Sequence, residues 1–381
     1  MGRELEGCEG TMDGGEGILG LLTFMAVLAF FAYLSRELEI RRVASEIELY
    51  LMLFKVARDR ALSSTVRKFG ELSARGGGRV DLSKIERRVR ALIETVVITP
   101  EALDPFGIAR KMRFFLRTAD AILKGEVKRI VPRAERCEVE TLASMVEASR
   151  ALNYVYKVVN HSYTLAKKFK SYWLLLQLDA LLPFIAQEVR AYENVVDALA
   201  RQLPIGDSVG PLVVATLARE LGAEEIELGV EDTCVYQAAF EERRLLLIKA
   251  EGPGSNTGRL DEALRRVLAG WGASASLVVT IDAALKFEGE RSGDVAEGYG
   301  VAIGGTGVEK YGIEEVLTEY GLKPYALLIK MSEEEALSPL SRELYEACMS
   351  AKERVKQIVL ENSAPGDTVI VVGVGNTVGV A

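Results

Sequence analysis

The sequence predicts three parts in series: one N-terminal transmembrane helix, a helical middle region, and a C-terminal α/β three-layer domain on a mainly parallel sheet. Three observations predict this order. Residues 17–34, GILGLLTFMAVLAFFAYL, carry no charge. Glycine nearly vanishes between residues 79 and 205, where only Gly107 and Gly125 occur, and becomes dense from Gly206 onward. Helix interiors avoid glycine, whereas turns and ligand loops use it. Beyond Gly206, apolar runs alternate with amphipathic stretches, the pattern of strands covered by helices.

Residues 1–16 form an acidic tail in which Arg3 stands against Glu4, Glu6, Glu9, Asp13 and Glu16. The transmembrane helix is assigned to residues 17–35. Its uncharged run, at 1.5 Å per residue, is about 27 Å long, close to the thickness of a hydrocarbon core. A cleaved signal peptide needs a basic leading region, which this tail lacks. Basic residues follow the run at Arg36, Arg41, Arg42, Lys55, Arg58 and Arg60. The positive-inside bias then puts the N-terminus outside, with a single pass through the cell membrane and a cytoplasmic body.

The helical region spans residues 36–203. Ile40, Val43, Ile47, Leu51, Phe54 and Val56 recur at mostly three-to-four spacing, which extends the first helix through about residue 73. Ser73–Asp81, with Gly76, Gly77 and Gly78, reads as a loop. Ser83 and Glu86 have the spacing of a capping box for a helix through about Val97. Thr99-Pro100 and Asp104-Pro105 interrupt the helical pattern. Further helices are predicted over about 106–124, 134–168 and 171–202, the last two forming either a hairpin or one kinked rod. The apolar run Tyr172–Ala186 contains Gln177, Asp179 and Pro183 and is short for a second span, so it reads as a buried bundle helix.

The α/β domain covers residues 204–381. Predicted strands are Glu225–Val230, Cys234–Phe240, Leu245–Ala250, Ser276–Ile281, Tyr325–Lys330 and Thr368–Val372. Predicted helices are 211–222, 259–270, 309–320 and 333–361. Ligands of such sheets bind beyond the carboxyl ends of the strands. Four stretches occupy those positions or open a helix: Gly206–Pro211, Lys249–Gly258, Asp282, and Gly373–Asn376.

Composition narrows the function classes. A net charge of -8 argues against a partner held through nucleic-acid phosphates. Cys8, Cys137, Cys234 and Cys348 lack ligand-like spacing, and His161 is the sole histidine, so no metal site is predicted. No cofactor is implied either. Gly252 and Gly258 enclose five residues rather than four and Arg259 stands where a phosphate loop has lysine, so the loop is not a Walker A motif. No helix follows Gly373-Val374-Gly375 to hold a pyrophosphate, which disfavours a dinucleotide site.

Gly206-Asp207-Ser208-Val209-Gly210-Pro211 resembles the aspartate-bearing segment of the germination proteases, which share a fold with the hydrogenase maturation proteases. Ile281-Asp282-Ala283-Ala284-Leu285 is similar to their second aspartate motif, and Ile303–Glu309 to the glycine-rich stretch that follows it. In those families a strand ending in G-x-G-N comes just before the first aspartate. Here Val371–Asn376 stands at the opposite end, so the resemblance implies a circular permutation that sets Asn376 beside Asp207. Over nearly its whole length the chain also looks like an archaeal membrane-anchored family of unknown function.

The protease resemblance implies an acid-type peptidase in which Asp207 and Asp282 share a proton and activate water. Around them the resembling segments add Asn376, Gly375, Gly304 and Gly305 to a ligand-binding set, and position after a strand end adds Glu251, Gly254, Lys286 and Glu288. Each aspartate also has a structural use, Asp207 as a helix cap and Asp282 as an acceptor at a strand end. Two rival functions stand beside the peptidase. One is a non-catalytic binding or scaffold module with a protein or peptide partner. The other is an anion or nucleotide sensor using the loops at 252–258 and 303–307.

Overall fold

The computed structural model describes residues 14–75, 81–96, 108–270, 275–301 and 308–381. Residues 1–13 of the acidic tail, the glycine loop near residue 77, the Thr99-Pro100 and Asp104-Pro105 breaks, and the loop holding Gly304 and Gly305 lie outside them; the last three tail residues, 14–16, already belong to the first helix. Two compact units are present. One holds the chain up to Leu53 with Val158–Pro183; the other holds Phe54–Lys157 with Phe184–Ala381.

Among the described residues five helices precede the α/β domain: α1 (Gly14–Ala74), α2 (Leu82–Ile93), α3 (Ile108–Ile130), α4 (Arg136–Lys168) and α5 (Tyr172–Arg201). Near its N-terminus α1 is long and apolar enough to cross a membrane, and the apolar stretch is unburied. The predicted start of α2 is corrected. Asp81, not Ser83, is the N-cap, its Oδ1 accepting the N–H groups of Ser83 and Lys84 at 3.1 and 3.2 Å. A carboxylate also favours the positive end of the helix dipole. The helix ends at Ile93, short of Val97.

In the first unit α4 and α5 form a hairpin, not a rod. Tyr163 hydrogen-bonds Glu48, Tyr172 lies under Arg36 with its ring centroid 5.6 Å from the guanidinium, and Asp179 feels the charges of Arg42 and Glu46. The chain thus runs down α1 and back. Lys170, at φ 48°, makes the reversal, and Ser171 N–H closes it on Ala166 O at 3.0 Å. Leu175, Leu178 and Leu182 of α5 are buried, but Trp173, Leu174 and Leu181 are exposed, so the run from Tyr172 is only half a buried helix.

In the second unit, Phe54, Phe69, Leu142, Met145, Val146 and Leu199 bury the helical part, with a Thr65–Ser149 hydroxyl pair (3.0 Å) inside it. A 3-10 turn at Gly206–Ser208 then leads into the α/β domain. In chain order it comprises α6 (Val209–Glu220), β1 (Glu224–Glu225), β2 (Thr233–Phe240), β3 (Arg243–Ala250), α7 (Leu260–Gly270), β4 (Ala275–Leu285), β5 (Val295–Tyr299), α8 (Val308–Tyr320), β6 (Pro324–Met331), α9 (Glu333–Leu337), α10 (Arg342–Asn362) and β7 (Thr368–Gly373). The sheet order is β1-β2-β3-β7-β4-β6-β5. Residues alternate between two cores: Leu245, Leu247, Val279, Ile281, Val369 and Val371 pack toward α6 and α10, and Leu246, Ile248, Val278, Ile370 and Val372 toward α7 and α8. This is a three-layer domain.

The sheet is mixed rather than mainly parallel. Only the central run β3-β7-β4-β6 is parallel; β1-β2, β2-β3 and β5-β6 are antiparallel. The β2–β3 hairpin turns on Glu241 and Glu242, at φ 47° and 59°, without the Asn-Gly signature that would have announced it. The predicted strand over 225–230 shrinks to Glu224–Glu225, because Gly229 turns at φ 64° and Arg266 Nη1 holds the carbonyls of Leu228 and Gly229. The predicted helix 333–361 is two helices. Ser338, preceding Pro339, is extended, and Ser341 caps α10 through Leu344 N–H at 3.2 Å. Edge strand β5 has no counterpart in the sequence prediction.

Candidate functional site at the carboxyl edge of the sheet

The parallel strands β3, β7 and β4 lie side by side with Lys249, Gly373 and Ile281 in register, where β3 and β7 end and β4 runs on. All six residues of β7 are buried, as expected of a strand covered on both faces. The chain leaves β7 as Val374-Gly375-Asn376, and Val374 N–H bonds to Ile281 O at 2.8 Å. The 3-10 turn and the start of α6 close over this exit. A Cβ on Gly210 would lie 2.2 Å from Val374 O and 2.5 Å from Ile281 O. A Cβ on Gly375, which sits at φ 128°, would lie 2.0 Å from Asp207 O. Only glycine allows these backbones to approach so closely.

Asp207 and Asn376 are brought together: Asn376 N–H donates to Asp207 Oδ2 at 2.9 Å. Asn376 also donates through Nδ2 to Ser255 Oγ (2.9 Å), and its Oδ1 accepts Val378 N–H (2.8 Å). Asp282 is 3 % exposed and its Oδ1 accepts Ala283 N–H at 2.7 Å. It lies within β4, which runs on to Leu285, and not after a strand end at Ile281. Because Ile281 packs in the core under α6 and α10, strand alternation turns Asp282 toward the α7 and α8 face. Asp207 stands in the 3-10 turn before α6, and that turn lies against β4.

The loop after β3 is tied to the tail. Thr377 Oγ1 donates within reach of the carbonyls of Glu251, Gly254 and Asn256 at 3.0, 2.8 and 3.2 Å. Glu251 keeps a half-exposed side chain 3.3 Å from Arg136 Nη1. Gly254 lets α4 approach: a Cβ there would lie 2.1 Å from Glu140 Oε2. Lys286 and Glu288 are not part of this cluster. They follow β4 in its turn toward β5, Lys286 donating its N–H to Met331 O (2.9 Å) and facing Glu335. Burial alone would raise the Glu335 pKa, but bonds from Ser332 and Ser292 and the Lys286 charge hold it below the usual value. Gly304 and Gly305 lie outside the described residues.

A cleft of about 760 Å³ opens beside Asn376, between α3, the start of α4 and the loop over residues 255–259. The sequence prediction named Asn376 and the loop at 252–258 and missed the walls from α3 and α4. Arg136 pairs with Asp232, Glu140 and Glu251; Arg113 and Arg117 pair with Asp261; Lys124 reaches Asp120 and Asp232. Glu147, on the same wall, is pushed above the usual carboxylate range, first by burial and then by Asp120. Asn256 is 8 % exposed; its Nδ2 donates to Glu251 O (2.6 Å) and Glu140 Oε2 (3.2 Å), while its buried Oδ1 has no hydrogen-bond partner among the described residues. The one available signal was the run Ser255-Asn256-Thr257 inside the glycine-rich loop. Among the described residues no cluster of His, Cys, Asp and Glu is arranged to hold a metal, and His161 is exposed.

A second buried polar group sits next to the edge. Lys249 on β3 is 1 % exposed, donates to Ala250 O at 3.2 Å, and has its pKa lowered by burial. Cys234 is its partner across the β2–β3 pair.

Residues 21–202 match the N-terminal domain of the DUF1512 proteins, a family of unknown function, and residues 205–381 match the DUF1512 C-terminal domain. The chain belongs to the DUF1512 family. The carboxyl-edge cluster lies within the C-terminal DUF1512 domain, whereas the cleft is walled by both DUF1512 domains. No curated protein matches the chain.

Proposed function

We propose that this DUF1512 protein is a membrane-tethered binding protein. Its α1 crosses the cell membrane once with the N-terminus outside, and its cytoplasmic body takes a small polar ligand in the cleft beside Asn376. The Asn256 carboxamide oxygen carries this reading. A buried acceptor without a donor is costly, and a ligand N–H or O–H at that point would satisfy it. The ion-paired walls contribute cations and anions in equal number, six each by the lining residues, which favours a polar or zwitterionic ligand over a simple anion.

The test is thermal unfolding of the full chain in detergent with inorganic phosphate, nucleotides, free amino acids and short peptides in turn. A ligand at a hundred times its Kd stabilises a protein by about 2.7 kcal/mol. One class should raise Tm, and Asn256→Ala should abolish the rise. A Tm indifferent to all four classes refutes the proposal.

A second reading, the acid peptidase, is favoured by one observation. The strand ending in Gly373-Val374-Gly375-Asn376 is inserted between β3 and β4 with Asn376 on Asp207, the placement that a circularly permuted germination or maturation protease fold requires. Peptide hydrolysis by the full chain that disappears in Asp207→Asn and in Asp282→Asn would establish this second reading in place of the first.

A further inference from the structure

The tip of the α4–α5 hairpin is built unlike the surface of an ordinary helical bundle. The stretch from Val158 to Leu178 contains Lys167, Lys168 and Lys170 and no acidic residue. At the turn, Phe169 is 64 % exposed and Trp173 67 % exposed. Large aromatic side chains held out of a protein core next to lysines are the composition of a membrane interface, where the ring sits among headgroups and the ammonium meets phosphate.

The height of the tip along α1 is set by contacts inside one compact unit. The Arg36 guanidinium lies over the Tyr172 ring, and Tyr172 also hydrogen-bonds Glu39. The apolar run of α1 ends at Leu34. Arg36 and Glu39 stand two and five residues past it, about 3 and 7.5 Å of helix rise, so Tyr172 lies within about one and a half turns of the point where the apolar run stops. Phe169 and Trp173 flank Tyr172 across the hairpin turn. Lys167 is set further back, held by Glu48 at 3.4 Å, which leaves Lys168 and Lys170 as the exposed cations at the tip.

We propose that this tip is a second membrane contact: Phe169 and Trp173 enter the headgroup layer beside the span, and Lys168 and Lys170 bind anionic lipid headgroups. The proposal rests on α1 being the span. It makes the hairpin a fixed strut that sets the tilt of α1. Basic residues near an anionic surface are attracted to it, and aromatic rings favour the interfacial layer.

The chain has two tryptophans, Trp173 and Trp271, so Trp271→Phe leaves Trp173 as the sole emitter. The full chain with this change is reconstituted into vesicles of phosphatidylcholine and phosphatidylglycerol, with lipids brominated near the headgroup as quenchers, and flotation reports attachment. A parallel Trp173→Phe chain supplies the same signal by difference should Trp271→Phe fail to fold. The expected result is blue-shifted Trp173 emission that loses most of its intensity to the brominated lipid. Lys168→Glu with Lys170→Glu should restore that intensity while the chain still floats. Floating chains whose Trp173 stays unquenched overturn the tip proposal and leave the span intact. Emission that is blue-shifted but indifferent to bromine overturns it in favour of a protein partner. Chains that do not float overturn the span and the tip together.

Discussion

Asn376 N–H donates to Asp207 Oδ2 at 2.9 Å although 169 residues separate the two in sequence. This bond joins the last strand exit to the turn that opens α6, and so closes the domain. An N–H in a half-buried exit loop that loses its acceptor costs about 1–3 kcal/mol. Asp207→Ala should therefore lower stability by about that amount, and Asp207→Asn, which keeps a neutral acceptor, by roughly half as much. Urea unfolding of the two variants checks this. Equal midpoints for Asp207→Ala and the parent chain would show that the bond carries no stability.

Much of the α/β layer order was legible because burial leaves a direct mark on sequence. Val369–Val372 and Leu245–Ile248 are apolar throughout, as strands covered on both faces read. The adjacency of residues 207 and 376 was anticipated through a resemblance, since no local pattern reports which strand lies beside which. What escaped was set by long-range geometry. Val295–Tyr299 pairs with β6 alone and has no apolar period to announce it. The Glu241-Glu242 turn adopts positive φ without glycine or asparagine. The walls of the cleft come from α3, α4 and a loop more than a hundred residues later, and charged side chains on separate helices carry no sign that they will meet.

Gly375 offers a backbone test of the same closure. Its φ of 128° and the 2.0 Å approach of a built Cβ to Asp207 O act together. Gly222, at φ 61°, has open space around its Cβ position and bears conformational strain alone. Gly222→Ala should cost about 1–2 kcal/mol, the usual left-handed penalty. Gly375→Ala should cost clearly more, because the exit loop must also move. Thermal unfolding of the pair checks the ranking, and an equal cost at the two positions would contradict the tight approach.

Glu297 on edge strand β5 sets part of the acid limb of stability. Bonds from Arg354 on α10 and from the Tyr325 hydroxyl bring its pKa down to about 2 from the ordinary 4.5. Between those values the unfolded chain binds the proton and the folded chain does not, so stability rises with pH through that window. The contribution is complete above about pH 5 and is lost as pH falls toward 2. The side chains are about a third exposed, so solvent screening reduces it to about 1 kcal/mol. Glu297→Gln should lower Tm at neutral pH and flatten the decline below pH 5. Parallel Tm profiles for the two chains would remove Glu297 from the acid response.

The proposed topology makes a prediction about native thiols. Cys8 belongs to the acidic tail, on the far side of the apolar run from Cys137 and Cys234, which are partly accessible in the body; Cys348 is buried, and burial raises its thiol pKa to about 12. With the N-terminus outside, a membrane-impermeant maleimide added to intact cells should label Cys8 and leave Cys137 and Cys234 untouched until lysis. Cys8→Ser should then abolish labelling of intact cells. Charge asymmetry alone underlies this orientation, since only Arg3 precedes the apolar run while Arg36, Arg41 and Arg42 follow it closely. Labelling of Cys137 or Cys234 before lysis, with Cys8 protected, would invert the assignment and place the cleft outside the cell.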